Sequence, residues 1–96
     1  MSRFRVNGTF AIESRRWFVL AGSIVEGRIQ AGMIVKVPFN SSLSISGQIH
    51  TIEYARKTNG PEEVCLCIAY ESSDELDMWN GLNLQSETLY VVPATQ

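Results

Sequence analysis

The sequence is poor in cysteine, and its two cysteines exclude both a disulfide-built fold and a zinc site. Cys65 and Cys67 lie two residues apart in an apolar stretch. In a strand their side chains point the same way about 7 Å apart, which is too far for a disulfide. Tetrahedral zinc needs four ligands, and His50 is the only histidine. We therefore expect both thiols to pack in the core, with no metal bound and no oxidising compartment implied.

Long apolar runs are also missing. The uncharged stretch from Val37 to Gln48 is interrupted by Pro38, Asn40 and several serines, which excludes a membrane-spanning helix there. The first residues, Met1 to Arg5, do not form the apolar stretch of a secretory signal. We therefore expect a cytoplasmic protein that contacts no membrane.

The motifs that would mark an enzyme are absent as well. Lys36 and Lys57 are the only lysines, and neither follows a Gly-x-x-x-x-Gly pattern, so the phosphate-binding loop of GTP-binding proteins is missing. No Gly-x-Ser-x-Gly nucleophile elbow accompanies His50. The acidic clusters at 62–63 and 74–77 do not have the ligand spacing of a calcium loop. These absences predict a non-enzymatic protein without a cofactor.

The charges that are present divide unevenly along the chain. Residues 1–36 carry six basic and two acidic side chains, a net charge of +4, whereas residues 37–96 carry two basic and eight acidic ones, a net charge of −6. Such a chain can present a basic face to an anion and remain soluble. A barrel can equally interleave the two halves in space, so the sequence leaves open whether one basic patch exists.

Apolar residues recur with the period of two that is typical of strands with one buried face. The first series, which predicts one buried face for its strand, is Phe4, Val6, Gly8, Phe10 and Ile12. Further strands are predicted at 17–25, 33–37, 48–54, 64–70, 82–84 and 88–92. No segment of ten or more residues carries a helical apolar stripe, so we expect residues 71–80 to form a loop with one helical turn capped at Ser72 or Ser73.

Many short strands at regular spacing predict an all-β fold. We expect a small closed Greek-key β-barrel of six to seven antiparallel strands, forming one domain over residues 1–96. Closure also removes the exposed sheet edges that would promote aggregation in so small a chain.

Three glycines, Gly22, Gly27 and Gly32, are spaced five residues apart in this β-rich sequence. Glycine adopts positive φ angles without a steric penalty, so Glu26-Gly27 and Ala31-Gly32 predict tight reversals between short strands. Gly22 interrupts a long apolar strand and predicts a bulge or a sharp bend at a barrel corner.

This glycine spacing resembles the β-barrel second domain of translational GTPases such as elongation factor Tu, over about residues 4–92. The matching positions are Phe4, Phe10, Ile12, Gly22, Gly27, Ile29, Gly32, Ile52-Glu53 and Leu82-Asn83-Leu84. The chain departs from the family where Ser14-Arg15-Arg16-Trp17 replaces a Gly-Arg-Gly motif, where Met33 replaces an aspartate, and where Pro61-Glu62-Glu63 replaces Gly-Asp-Asn. The GTPase domain that normally precedes this barrel is not part of the sequence.

The resemblance implies a function in RNA binding. The segment from Ile52 to Thr58 is similar to the part of elongation factor Tu that helps hold the 3′ end of aminoacyl-tRNA. In that family the residues matched by Glu53 and Arg56 lie beside the terminal adenosine and the aminoacyl ester. Under this hypothesis tRNA, another RNA or a ribosome-associated ligand is the partner, and its phosphates are neutralised by Arg15, Arg16 and Lys57.

An alternative hypothesis is a protein-interaction or self-association module with no role in nucleic-acid binding. Under it an apolar patch docks on a partner chain or on a second copy. The candidate residues for this patch are Trp17, Phe18, Ile34, Phe39 and Trp79. Trp79, with Met78 beside it, would otherwise pack as a plug at one end of the barrel.

Overall fold

The structure is a computed structural model that describes residues 2–38, 44–56, 60 and 62–94. It contains six strands and one helix. They are β1 (Ser2–Ile12), β2 (Trp17–Glu26), β3 (Ile34–Pro38), β4 (Ser44–Arg56), β5 (Glu62–Ala69), α1 (Ser73–Gly81) and β6 (Thr88–Val92). The strands form a closed antiparallel barrel in the order β1-β2-β5-β4-β3-β6. The predicted all-β barrel is confirmed.

The connectivity contains a Greek key. β3, β4 and β5 follow one another as neighbours, and β2 returns to lie beside β5. β4 is long enough to serve two neighbours, pairing with β3 through residues 44–48 and with β5 through residues 49–56. A register shift between Ile49 and Thr51 separates the two halves, which is how a bulge lets one strand turn a barrel corner.

The barrel encloses one apolar core. Its largest fully buried side chains include Phe4, Phe18, Leu20, Ile49 and Leu66. They come from four different strands, so the core holds the closed sheet together rather than any single hairpin.

The predicted single buried face of β1 is wrong beyond Val6. Phe4 and Val6 are fully buried, but Phe10 is 48% exposed. The reason is a register shift between Val6 and Gly8, where β1 gains one residue relative to β2. A bulge of this kind exchanges the two faces of a strand, so the second half of the series points out of the barrel.

Gly22 makes this bulge possible, as the sequence predicted for a bulge or bend at this site. A Cβ atom on Gly22 would lie 1.9 Å from the carbonyl oxygen of Arg5 and 3.1 Å from the backbone nitrogen of Asn7. Only a residue without a side chain allows the backbone of β1 to approach so closely.

The other two glycines of the motif occupy turns. Gly27 and Gly32 have φ angles of 76° and 95°, the positive values that glycine adopts without penalty. The predicted short strand between them is wrong, because residues 27–33 form one irregular connection between β2 and β3. This connection is anchored by Ile29, which is buried, and by the hydroxyl of Ser2, which donates a hydrogen bond to the carbonyl oxygen of Arg28 at 2.6 Å.

The segment predicted as a loop with one helical turn is a nine-residue helix, α1. Ser72 caps it by accepting a hydrogen bond from the backbone N–H of Glu75 at 3.2 Å, which confirms one of the two predicted caps. Trp79 is the only buried residue of this helix. The helix therefore needs no apolar stripe along its length, and none marks it in the sequence. Asn83 then has a φ angle of 51°, which ends regular structure, so the predicted strand at 82–84 does not form.

Trp79 packs into the barrel core, in line with the packed alternative of the two that the sequence left open for it. Its ring is 2% exposed and stacks on Phe18 with 5.7 Å between the ring centroids. Gly47 provides the space, because a Cβ atom there would lie 2.6 Å from the Trp79 ring. A glycine on β4 thus lets the helix approach the sheet closely.

We predict that Gly22→Ala destabilises the protein by about 3 kcal/mol or more, because the new methyl group meets backbone atoms that cannot move independently. Urea unfolding followed by circular dichroism measures this change. Gly8→Ala is the matched control, since no atom lies within 4 Å of a Cβ at Gly8. Equal stability of the two variants would contradict the proposed close approach.

Candidate interaction surface

A second apolar cluster lies on the outside of the barrel. β2 and β5 pair in register, so that Val19 faces Cys67 and Ala21 faces Cys65. These four residues alternate with the inward-facing core residues of the same strands and form a cluster separate from the core. β2 and β5 are therefore apolar on both faces, a pattern typical of strands that are covered on both sides.

Larger side chains surround this cluster. Phe10 on β1 pairs with Val19, and Ile12 pairs with Trp17 at the end of the same hairpin. Ile12 and Trp17 are partly buried against the cluster. We define the outer apolar face as Phe10, Ile12, Trp17, Val19, Ala21, Cys65 and Cys67. Val19 and Cys67 at its centre are each 1% exposed because the neighbouring side chains cover them.

A cation and an imidazole pack on Trp17 at one end of this face. The guanidinium carbon of Arg15 lies 5.1 Å from the centroid of the Trp17 ring, within the range of cation–π contacts. On β4, the ring of His50 lies 5.7 Å from that of Trp17, centroid to centroid. These contacts hold the exposed edge of the indole in one orientation.

The opposite end of the outer apolar face is acidic. Glu53 pairs in register with Cys65, and Glu63, two residues before Cys65, accepts a hydrogen bond from the side-chain amide of Asn7 at 3.1 Å. Burial raises the pKa of the Cys65 thiol, and the negative charges of Glu63 and Glu53 raise it further. The outer apolar face thus carries opposite charges at its two ends, with Arg15 at one end and two carboxylates at the other.

Burial also raises the pKa of Cys67, to about 11, with further contributions from Cys65 and Glu53. Both cysteines are free and buried, as expected from their spacing. A thiol with so high a pKa is neutral at physiological pH, so it is a poor nucleophile. The cysteines act here as small apolar residues, packed outside the barrel core rather than within it.

The structure does not bring the predicted ligand-binding residues together. Glu53 lies on the outer surface of β4, whereas Arg56 belongs to the other face of that strand and pairs in register with Glu62. Arg15 and Arg16 lie in the turn between β1 and β2, before Trp17, which is itself four residues along β2 from Ala21 in the row of Glu53. That separation corresponds to about 13 Å along the strands. Lys57 lies outside the described residues.

The basic residues of the first third of the chain are likewise dispersed. Arg3 forms an ion pair with Glu26, with 2.6 Å between its Nε and a carboxylate oxygen. Arg15 packs on Trp17, and Arg16 is exposed with a positive φ of 57°. The strand order places β3 between β4 and β6, and β1 beside β6, so strands of the two charge halves are interleaved, which is one of the two arrangements that the sequence left open.

Only some residues of the predicted apolar patch lie on the surface. Phe18 and Trp79 are wrong as contact residues, because both are buried in the core. Trp17 and Ile34 are partly exposed, and Phe39 lies outside the described residues. Sequence reasoning placed Phe10 and Ile12 inside the barrel, and so it missed two of the largest residues of the actual outer face.

A groove of about 490 Å³ separates α1 from β4 and β5. Polar side chains from both sides line it, among them Gln48, His50 and Glu75, with Trp79 and Met78 from the helix. No group of three or more histidine, cysteine or acidic side chains with metal-binding geometry occurs among the described residues. In that same part of the chain, no helix has the length and apolarity needed to cross a membrane.

We predict that the buried thiols make the protein sensitive to alkali. Their folded pKa values lie above the usual value of 9.0, so the unfolded chain loses these protons first. The contribution of these buried thiols to the free energy of unfolding is fully present below pH 9 and is lost as the pH rises toward about 11. Urea unfolding across this range should show that the free energy of unfolding falls less at alkaline pH for Cys67→Ala than for the wild type. Identical losses would contradict the burial of Cys67 in a neutral form.

Comparisons of this chain with protein-family models, with curated proteins and with solved structures find no match. The resemblance to the second domain of translational GTPases stays a prediction from the residues quoted above.

Proposed function

We propose that this barrel is a protein-interaction module that docks through the outer apolar face. The observation that carries the proposal is that β2 and β5 are apolar on both faces, and that Phe10, on the outer side, is 48% exposed. The four residues at the centre of the outer apolar face are 1–7% exposed, so a partner would contact the side chains around them, above all Phe10 and Trp17. An apolar strand face with polar residues at its ends is typical of a contact surface.

The composition of the face suits protein recognition. Interfaces derive most of their binding energy from a few central aromatic and arginine residues, and Phe10, Trp17 and Arg15 lie side by side at one end of this face. Full burial of a phenylalanine is worth about 1.5–3 kcal/mol. Since Phe10 is 48% exposed, a partner gains about 1 kcal/mol by covering it. The stack of Arg15 and His50 on Trp17 reduces the conformational entropy lost on binding.

The charges at the two ends would orient the partner. Arg15 at one end favours an acidic group, and the carboxylates of Glu53 and Glu63 at the other end favour a basic one. Such complementarity contributes more to specificity and association rate than to affinity. We therefore expect the partner to present an apolar surface with an acidic group opposite Arg15 and a basic group opposite Glu53 and Glu63.

We predict that Trp17→Ala weakens partner binding at least tenfold, because it removes the aromatic residue on which Arg15 and His50 pack. Quantitative affinity purification from an extract of the source organism measures the loss. Tyr90→Ala is the control, since Tyr90 is an exposed aromatic residue on β6 outside this face. If the same proteins are retained by the wild type and by Trp17→Ala, the outer apolar face is not the docking surface.

A second candidate function is the binding of single-stranded RNA, as the resemblance implies. It is favoured by the stack of Arg15, Trp17 and His50, because a base can stack on an exposed aromatic residue while an arginine neutralises a phosphate. It ranks below protein binding, because Glu53 and Arg56 lie on opposite faces of β4 and two carboxylates border the outer face.

For RNA binding we predict that the affinity for a labelled oligonucleotide falls steeply with salt, and that Arg15→Gln with Arg16→Gln lowers the slope by about 2 in a plot of log affinity against log salt concentration. Fluorescence anisotropy measures both quantities. The exposed pair Arg5→Gln and Arg28→Gln serves as a charge-matched control. A flat salt dependence would rule this function out.

A further inference from the structure

The edge of β1 beyond the bulge carries backbone groups without a partner in the described residues. β6 pairs with β1 only through residues 2–5, and the backbone of Val6 then bonds to Glu87 and Ser86 at 2.8 Å. From Gly8 to Ile12 the strand pairs with β2 on one side alone. The barrel is therefore closed by the first half of β1, while the second half forms an open sheet edge.

The direction of these backbone groups follows from the hydrogen-bond pattern of β2. The N–H of Tyr70 bonds to the carbonyl oxygen of Arg16 at 2.9 Å, which assigns the even-numbered residues of β2 to β5. Because bonding residues alternate along an antiparallel strand, the odd-numbered residues of β2 bond to β1. Their register partners are Gly8, Phe10 and Ile12.

Thr9 and Ala11 consequently direct their backbone N–H and C=O groups away from β2, toward the open edge. Within the described part of the chain, no backbone or side-chain hydrogen bond reaches these four groups. The edge also lacks the features that usually prevent pairing, since residues 8–12 contain no charge and no proline. It is a short, uncharged template for another strand.

We propose that this edge pairs with the same edge of a second copy of the chain, antiparallel about a two-fold axis at Phe10. In this register Thr9 of each copy bonds to Ala11 of the other, so four hydrogen bonds satisfy the four free groups of each copy. The two Phe10 residues then face each other as a non-hydrogen-bonded pair, in which side chains approach most closely. The sheets of the two barrels then continue into each other across this edge.

The local sequence favours a second copy over an unrelated peptide. The register that uses all four groups is symmetric, as an isologous dimer requires. Ile12 of one copy lies opposite Gly8 of the other, which leaves room for its branched side chain. Glu13 lies opposite Asn7, so no two like charges meet. The paired segment ends in both copies where Glu87 occupies the edge at Val6 and where the turn after Ile12 begins.

This inference goes beyond the proposed function, because it concerns the edge of the sheet rather than its outer face, and it names the partner. The two are compatible, since pairing at Phe10 places the outer apolar faces of the two copies side by side. They are also separable. Trp17 belongs to the face and not to the edge, whereas the N–H of Ala11 belongs to the edge and not to the face.

Sedimentation velocity of the wild type and of Ala11→Pro tests the pairing. Proline removes the outward N–H without breaking a bond to β2, as edge positions tolerate, and its ring obstructs the incoming strand. We expect the wild type to shift from monomer to dimer between about 1 μM and about 1 mM, a range that spans weak to moderate association. Ala11→Pro should remain monomeric, whereas Ala11→Ser, which keeps the N–H, should dimerise. Thermal unfolding checks that both variants are folded.

Disulfide trapping tests the register and does not depend on the proline variant. In Phe10→Cys the two introduced thiols face each other across the axis, at a separation that a disulfide can bridge. In Ile12→Cys they lie about 13 Å apart along the strands and cannot be bridged. The native cysteines are buried and of raised pKa, so they contribute little background. We expect rapid covalent dimer from Phe10→Cys and none from Ile12→Cys.

Four outcomes would overturn the proposal. They are a wild type that stays monomeric over the whole concentration range, a folded Ala11→Pro that still dimerises, equal cross-linking of Phe10→Cys and Ile12→Cys, and a series of higher oligomers in place of a dimer. A dimer lost in Trp17→Ala but kept in Ala11→Pro would assign self-association to the outer face instead. Loss of partner binding in Trp17→Ala with a wild-type dimer would support both the face and the edge.

Discussion

The close approach of β1 to Gly22 is the constraint on which the rest of the structure depends. The carbonyl oxygen of Arg5 occupies the position where any other residue would carry its Cβ atom, and this contact accompanies the extra residue in β1. The bulge keeps Phe4 and Val6 in the core while it turns Phe10 and Ile12 outward. It also redirects the backbone, so that the first half of β1 closes the barrel on β6 and the second half is left as an edge.

The outer surface follows from the same bulge. Phe10 is the register partner of Val19, and Ile12 packs with Trp17 against the cluster that contains Val19 and Cys67, so the outward turn of β1 places apolar side chains around that cluster. Burial raises the pKa of both thiols and keeps them protonated, with smaller contributions from Glu63 and Glu53 at Cys65 and from Cys65 and Glu53 at Cys67. Arg15 on Trp17 makes the other end of the face basic. One local backbone irregularity thus determines the core, the contact surface and the free edge together.

The sequence was sufficient for the general fold, because alternation and turn glycines report local geometry. The bulge at Gly22 and the positive φ angles of Gly27 and Gly32 were predicted correctly, although no strand forms between the two turn glycines, and the barrel followed from the number and spacing of strands. The alternation of apolar residues along β1 did not reveal the bulge. Phe10 and Ile12 continue the alternation of Phe4 and Val6 without a break, and only the partner strand shows that one residue is extra.

Other misses have similar physical causes. The helix α1 buries a single residue, Trp79, so it has no apolar periodicity to detect, and its fit depends on Gly47, which is distant in sequence. The candidate ligand residues were chosen by resemblance in a linear segment. Glu53 and Arg56 are three residues apart, and in a strand that odd spacing places them on opposite faces.

Residue-resolved amide hydrogen exchange of the monomer at low concentration tests the central claim most directly. With the bulge, the N–H groups of Gly8, Phe10 and Ile12 bond to β2 and exchange slowly, whereas those of Thr9 and Ala11 exchange fast. An uninterrupted β1 would continue the pattern of Val6, which bonds toward β6, and would protect Thr9 and Ala11 instead. That inverse pattern would contradict the account.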